Sequence, residues 1–170
     1  MCIRDRHNAP NNVELYDKMW NSMNTNQCNG VEAWGNDRIM KLFRLFGQKV
    51  NFSGKNVLDA WCGLGRLTIA SLELNAKEVY AIDGSFSGLK AILNRINNKQ
   101  IPYDHNALIA PNNISSKNIF PIQGDAESIC DIFNKNSFDI IIHHMALHHM
   151  RDYKKTLDDL VKLLKPNGVL

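Results

Sequence analysis

Val57-Leu58-Asp59-Ala60-Trp61-Cys62-Gly63-Leu64-Gly65-Arg66 is the stretch on which the reading of this chain turns. A short apolar run ends in a turn marked by two glycines, and a helical pattern starts at Arg66. Glycines in such a turn let the backbone double back and approach a ligand closely, while the helix start presents free N–H groups. Many nucleotide-binding folds share this arrangement, so alone it predicts a strand–turn–helix unit and a ligand but no particular chemistry.

Downstream, the alternation continues. Strands are predicted over 56–61, 78–82, 118–123 and 138–143, with helices over 66–74, 86–97, 126–133 and 153–164. Ser85 is placed to cap the second helix. The run Phe138-Asp139-Ile140-Ile141-Ile142-His143 is rich in β-branched residues, as in a strand buried on both faces. Residues 101–117, with Pro102, Pro111 and several Asn, read as a long loop. Tyr153, Leu157, Leu160, Val161 and Leu164 form one stripe of the last helix, which Pro166-Asn167-Gly168 should end. Val169-Leu170 then begin a fifth strand, so the domain is expected to be truncated there. The pattern predicts an α/β fold, doubly wound and Rossmann-like, with a mostly parallel sheet and helices on both faces. Ligands of such sheets sit at the carboxyl ends of the strands, near the point where strand order reverses.

Upstream, Val13, Tyr16, Met19, Trp20 and Met23 recur at helical spacing, as do Ile39, Leu42, Phe43 and Phe46. This defines an N-terminal helical cap segment, 7–54, ahead of a core, 55–170. Met1-Cys2-Ile3-Arg4-Asp5-Arg6 resembles the translation of a sequencing transposase adapter, and residues 1–6 are set aside from the fold.

Composition narrows the function classes. The 170 residues are 44% hydrophobic and 22% charged, the balance of an ordinary globular domain. A net charge of +3, without a basic run interleaved with aromatics, argues against a nucleic-acid partner. No apolar stretch reaches membrane-spanning length, and no signal-peptide pattern opens the chain. The four cysteines show neither metal-type pairing nor a disulfide framework, so a reducing, cytoplasmic setting is expected.

Four strand ends carry the candidate chemistry. The first holds Asp59, Trp61, Gly63 and Gly65. The second closes on Asp83, about twenty residues beyond the glycines, where a carboxylate can accept the hydroxyls of a ribose; capping the next helix is the competing role. The third is Gly124-Asp125-Ala126, able to read an adenine edge or to cap the following helix. The fourth is His143-His144-Met145-Ala146-Leu147-His148-His149. A metal site is not expected there, since no carboxylate or cysteine set accompanies the imidazoles and a strand-to-helix turn would splay them apart. Cys62 reads as a small buried hydrophobe rather than a reactive thiol.

In their order along the chain, these segments resemble the class I S-adenosylmethionine-dependent methyltransferases. Val57 through Gly65 looks like their motif I, and Asp83-Gly84-Ser85 with Leu89 resembles the segment after their second strand. Ile119-Phe120-Pro121-Ile122-Gln123-Gly124-Asp125-Ala126-Glu127 is similar to their third-strand motif. Phe138–Ile142 through Leu147-His148-His149, and Leu164-Lys165-Pro166-Asn167-Gly168, resemble the fourth strand and the turn before the fifth. The resemblance implies S-adenosyl-L-methionine as cofactor. It places Asp59, Gly63 and Gly65 around the methionine part, Asp83 at the ribose, and Asp125 and Ala126 at the adenine, with Trp61, Gly84 and Ser85 also counted among the cofactor-binding residues. The backbone near His143 would meet the amino group. Trp61 stands where the commonest motif has glycine, although some methyltransferase families carry an aromatic followed by Cys-Gly there. Asn167 replaces a usual glycine, and Asn visits left-handed backbone angles.

The implied reaction is methyl transfer to a small-molecule acceptor, with His148 as the candidate base, because an imidazole can accept a proton near neutral pH. An NAD(P)-binding oxidoreductase is the runner-up. Its fingerprint, counted from Gly63, wants Gly or Ala at position 68, where Thr68 stands. A non-catalytic S-adenosylmethionine-binding homologue is the third reading, with Trp61 as its support. DNA amino-methyltransferases are excluded, because His143-His144-Met145-Ala146 is not their Asn/Asp-Pro-Pro-aromatic motif.

Overall fold

The computed structural model describes residues 38–99, 113–144 and 146–170, together with Glu14, Asp17 and Lys18. The elements are α1 (Arg38–Gly47), β1 (Asn56–Ala60), α2 (Arg66–Glu73), β2 (Glu78–Asp83), α3 (Phe86–Asn97), β3 (Ile119–Gln123), α4 (Ile129–Ile132), β4 (Phe138–Ile142), α5 (Tyr153–Leu163) and β5 (Leu164–Val169). The strands form one sheet in the order β3-β2-β1-β4-β5, and every neighbouring pair is parallel. Strand order reverses between β1 and β4, which puts the ligand crevice at their carboxyl ends.

Alternation along the strands splits the core into two layers. Val57, Val79, Ala81, Ile119, Ile140 and Ile142 face α2 and α3 through Ile69, Leu72, Leu89 and Ile92. Leu58, Ala60, Ile82 and Ile141 face α4 and α5 through Ile129, Leu160 and Leu163. Helices on both faces make the sheet doubly wound, as expected. On the first face α1 meets α2 through a fully buried ion pair, Arg44 with Glu73, whose hydrogen bond from Nε to Oε2 is 2.7 Å. Phe43 packs edge-on against Phe52 beside it.

Four expectations need correction. The fifth strand does not merely begin at Val169. Leu164 is already extended, so β5 starts where α5 stops and pairs with β4 at Phe138↔Leu164 and Ile140↔Val169. The Pro166-Asn167-Gly168 turn is an irregularity inside that pairing, with Asn167 in the left-handed region at φ 64°. The expected helix over 126–133 is divided into a 3-10 turn, Ala126–Ser128, and the single turn α4. The buried face of α5 also differs from the expected stripe. Leu160 and Leu163 are buried with Thr156 and Asp159, whereas Tyr153 and Val161 are half exposed. On α1, Leu42 and Phe46 are also exposed. The N-terminal helical pattern around Val13–Met23 and most of the 101–117 loop lie outside the described residues.

Candidate functional site

The turn after β1 is built from left-handed backbone at alternate residues: Trp61 at φ 63°, Gly63 at 54° and Gly65 at 73°. Gly65 begins α2 without a side-chain cap, so the helix N-terminus faces the crevice through backbone N–H groups. A Cβ on Gly65 would collide with the Ile92 side chain of α3, so this glycine is required both by its angle and by packing. Arg95 of α3, itself buried, reaches the Leu64 carbonyl at 3.5 Å and braces the same turn.

Two carboxylates sit beneath and beside this turn. Asp59 is only 3% exposed, and its Oδ2 accepts the Thr68 hydroxyl at 2.6 Å. Burial pushes its carboxyl up to about 7; the Thr68 hydrogen bonds oppose the shift and the nearby Asp83 charge adds to it. Asp59 is therefore turned into the α2 N-terminus and organises the loop from below. Asp83 lies at the end of β2. Its Oδ2 accepts the Gly63 N–H at 2.8 Å and its Oδ1 the Ser85 N–H at 2.8 Å. Burial raises its pKa while those two bonds lower it. Each carboxylate oxygen holds one backbone donor and keeps a further lone pair, so Asp83 can still accept two ligand hydroxyls.

Ser85 is the N-cap of α3, its Oγ accepting the Gly88 N–H at 3.2 Å. Gly84 accepts from the Gln123 side chain, and Gly124 N–H donates to the Asp83 carbonyl, which ties the β2 and β3 ends together. Asp125 is exposed and caps the following turn through the Glu127 N–H at 2.9 Å, while Ala126 is buried behind it. The competing capping role is thus present at Asp125, with its carboxylate still open to solvent.

The β4 end is different. The His143 ring lies 5.0 Å from the Trp61 ring, edge to face, joining the ends of the two central strands. Both His143 ring nitrogens are buried, and among the described residues neither makes a well-formed hydrogen bond. Burial lowers its pKa below the usual histidine value; the nearby Ala60 carbonyl opposes this and His144 adds to it. His148 sits in a 3-10 turn, Leu147–His149, and its side chain lies outside the described residues. Cys62 is packed against the core, and burial with the Asp59 and Asp83 charges pushes its thiol up, consistent with a hydrophobic role. Among the described residues no group of three His, Cys, Asp or Glu side chains could hold a metal ion.

Sequence reasoning missed two residues here. Thr68 carries no motif of its own in the sequence, yet it secures Asp59. Asp17 carries no motif, yet it reaches Ser85 and Ser87 at the start of α3. Both are polar residues whose partners lie nine or more positions away in the sequence, with no signature to find.

Comparison with known proteins agrees with this geometry. A family model described as a methyltransferase domain matches residues 58–170. The mitochondrial ubiquinone biosynthesis O-methyltransferase of Dictyostelium discoideum is 26% identical over 137 residues, covering 76% of this chain and 40% of its own length. The ribosomal protein L11 methyltransferase of Prochlorococcus marinus is 34% identical over 89 residues, 52% of this chain and 25% of its own length. This chain therefore spans less than half of either relative. Among solved structures, the cyclase SpnF superposes with a TM-score of 0.67 at 19% identity, covering 92% of this chain and 58% of its own. That likeness shows the fold alone.

Proposed function

The chain belongs to the class I S-adenosylmethionine-dependent methyltransferases, a family whose methyl donor is S-adenosyl-L-methionine, and from that premise we propose that it transfers a methyl group to a small-molecule acceptor. The observation that carries the reading is Asp83. Its two oxygens are fixed by the Gly63 and Ser85 N–H groups beside the glycine turn, and each keeps a lone pair that could accept a hydroxyl of a vicinal diol. Gly63 and Gly65 would let the methionine part lie against bare backbone, with the α2 N-terminus behind it. Asp125 and Ala126 would read the adenine, Gly84 and Ser85 would shape the ribose turn, and the backbone near His143 would meet the amino group. Trp61 would wall the methionine end.

When bound, the sulfonium supplies an already activated methyl, so what the protein must add is alignment, worth roughly 7–11 kcal/mol of barrier. Where the acceptor loses a proton, His148 is the residue proposed to take it. A small-molecule acceptor is supported by the ubiquinone-biosynthesis enzyme, whose match covers more of this chain than that of the ribosomal-protein enzyme. The nicotinamide reading is disfavoured by Thr68, whose hydroxyl is committed to Asp59 at the position where that fingerprint wants Gly or Ala. No helix among the described residues is long and apolar enough to cross a membrane. The free cysteines Cys62 and Cys130 accord with the reducing, cytoplasmic setting proposed for it.

Calorimetric titration of the chain with S-adenosylmethionine, and separately with NADH, tests the assignment. Saturable binding of S-adenosylmethionine alone is expected. Binding of NADH without S-adenosylmethionine overturns it.

A further inference from the structure

Ser85 has two donors, and each is spent on a different carboxylate. Its N–H donates to Asp83 Oδ1 at 2.8 Å, and its hydroxyl donates to Asp17 Oδ1 at 2.8 Å. Asp17 lies 68 residues earlier, on helical backbone in the segment ahead of the core. It also accepts the Ser87 N–H at 2.8 Å and the Ser87 hydroxyl at 3.1 Å. The start of α3 therefore has two caps. Ser85 takes the Gly88 N–H from within the chain's own turn, and Asp17 takes the Ser87 N–H from outside it.

The arrangement is electrostatically one-sided. The Ser87 and Ser85 donors hold the Asp17 carboxyl below the usual carboxylate range, so it is charged at neutral pH. Its charge is felt by Asp83, whose own carboxyl is pushed upward in part by it. Two like charges are kept close by a serine that is 1% exposed and bonded to both. A buried group with both donors engaged has no freedom to follow one partner and leave the other. Displacing Asp17 must move Ser85, and moving Ser85 releases one of the two N–H groups that aim Asp83.

From this geometry we infer that Asp17 is a positioning residue for the cofactor site: through Ser85 it sets the aim of the Asp83 carboxylate toward the ligand's diol, making cofactor affinity depend on the Asp17 contacts with Ser85 and Ser87. The inference rests on the cofactor reading above and adds to it a residue outside every motif. It also makes the coupling reciprocal, since a ligand that fixes Asp83 must equally favour the contact of Asp17 with Ser85.

The experiment uses the 170-residue chain and S-adenosylhomocysteine as probe. Asp17→Ala is expected to weaken its binding about tenfold, the effect of losing a charge-assisted contact. Asp17→Asn keeps an acceptor toward Ser85 and Ser87 and should stay within about threefold of the parent. The 2′,3′-dideoxy analogue of the probe separates positioning from general loosening. Asp17→Ala should leave its affinity within about twofold, because the analogue lacks the hydroxyls that Asp83 holds. Equal losses for both ligands, or no loss for either, overturn the inference. Amide exchange at Ser87 in the ligand-free protein gives a second, independent measurement: faster exchange in Asp17→Ala is expected, and unchanged exchange overturns the latch. If the parent chain fails to bind S-adenosylhomocysteine while Ser87 exchange does respond, the cofactor reading has failed and the positioning role falls with it, although the contact itself stands.

Discussion

The two sides of the crevice are built to different standards. At the β1 and β2 ends each of these polar side chains has a named partner: Asp59 has Thr68, Asp83 has Gly63 and Ser85, and Ser85 has Gly88 and Asp17. At the β4 end His143 has an aromatic neighbour, a nearby Ala60 carbonyl, and two buried nitrogens without a well-formed hydrogen bond among the described residues. The first side is preorganised and should respond to substitution with large, specific losses. The second is shaped by packing and should respond mildly, except in whatever it does to an acceptor. On the proposed reading, a fixed cofactor cradle would lie beside a less committed acceptor wall, an arrangement by which one fold can serve many acceptors.

The largest effect expected from breaking the ordered side is at Gly65. Gly65→Ala keeps a positive φ that alanine tolerates poorly and drives a Cβ into Ile92. A loss of about 2–4 kcal/mol in unfolding free energy is expected from the two costs together. Denaturant unfolding measures it, and a stability within about 0.5 kcal/mol of the parent would show that the turn relaxes freely.

Next in size is Asp83→Ala, which removes an ionised acceptor for ligand hydroxyls and should weaken S-adenosylmethionine binding by about 1–3 kcal/mol. Circular dichroism checks the fold and calorimetry reads the affinity. An unchanged dissociation constant would reduce Asp83 to a brace for the Gly63 and Ser85 N–H groups.

Asp59 sharpens the comparison through pH. Its folded pKa of about 7 lies above the ordinary carboxylate value of 3.8, so the native state holds a proton that the unfolded chain releases. The resulting stability is complete below about pH 4 and is lost as pH rises toward 7, at no more than about 1.4 kcal/mol per pH unit. Asp83, also shifted upward, contributes with the same sign. Thermal midpoints should fall between pH 5 and pH 8 in the parent and fall less in Asp59→Asn, whose amide oxygen can still accept from Thr68. An equal slope in both proteins would place the Asp59 proton elsewhere.

The difference between the two sides also explains what could be read in the sequence. The β1 and β2 ends obey short-range grammar, in which glycine angles, an N-cap serine and an acid at a fixed distance are all visible as letters. The strands were legible because alternation and β-branched runs follow from burial. The α5 face was not, because Thr156 and Asp159 are buried by their hydrogen bonds rather than by hydrophobicity, while Tyr153 and Val161 look apolar yet stand half exposed. β5 was placed too late because Pro166-Asn167-Gly168 reads as a stop, whereas the chain carries that turn as an irregularity within the strand pairing. Asp17 and the Arg44–Glu73 pair join residues 68 and 29 positions apart, and no local pattern announces such contacts.

The smallest effect expected is at Trp61, where the two sides of the crevice meet. Its backbone is at φ 63°, a conformation that costs a residue with a Cβ about 1–2 kcal/mol. Its ring meets His143 and packs against the face that holds Leu58, Ile82 and Ile141. Glycine at this position would abolish the strain and lose the ring, so the two changes offset, and a net shift in stability of less than about 1 kcal/mol is expected. Alanine loses the ring and keeps the strain. Trp61→Ala should therefore be less stable than Trp61→Gly by about 1 kcal/mol, an inversion of the usual ranking. Cofactor affinity in Trp61→Gly should stay within about threefold of the parent, since the glycine turn and Asp83 are untouched and wall packing contributes little beside the directed bonds. Paired denaturant titrations of the two variants, with calorimetry on the glycine form, read all of this. Equal stabilities would mean that the left-handed angle is not imposed by the turn, and a collapse of cofactor binding in Trp61→Gly would move the indole from the wall into the cradle.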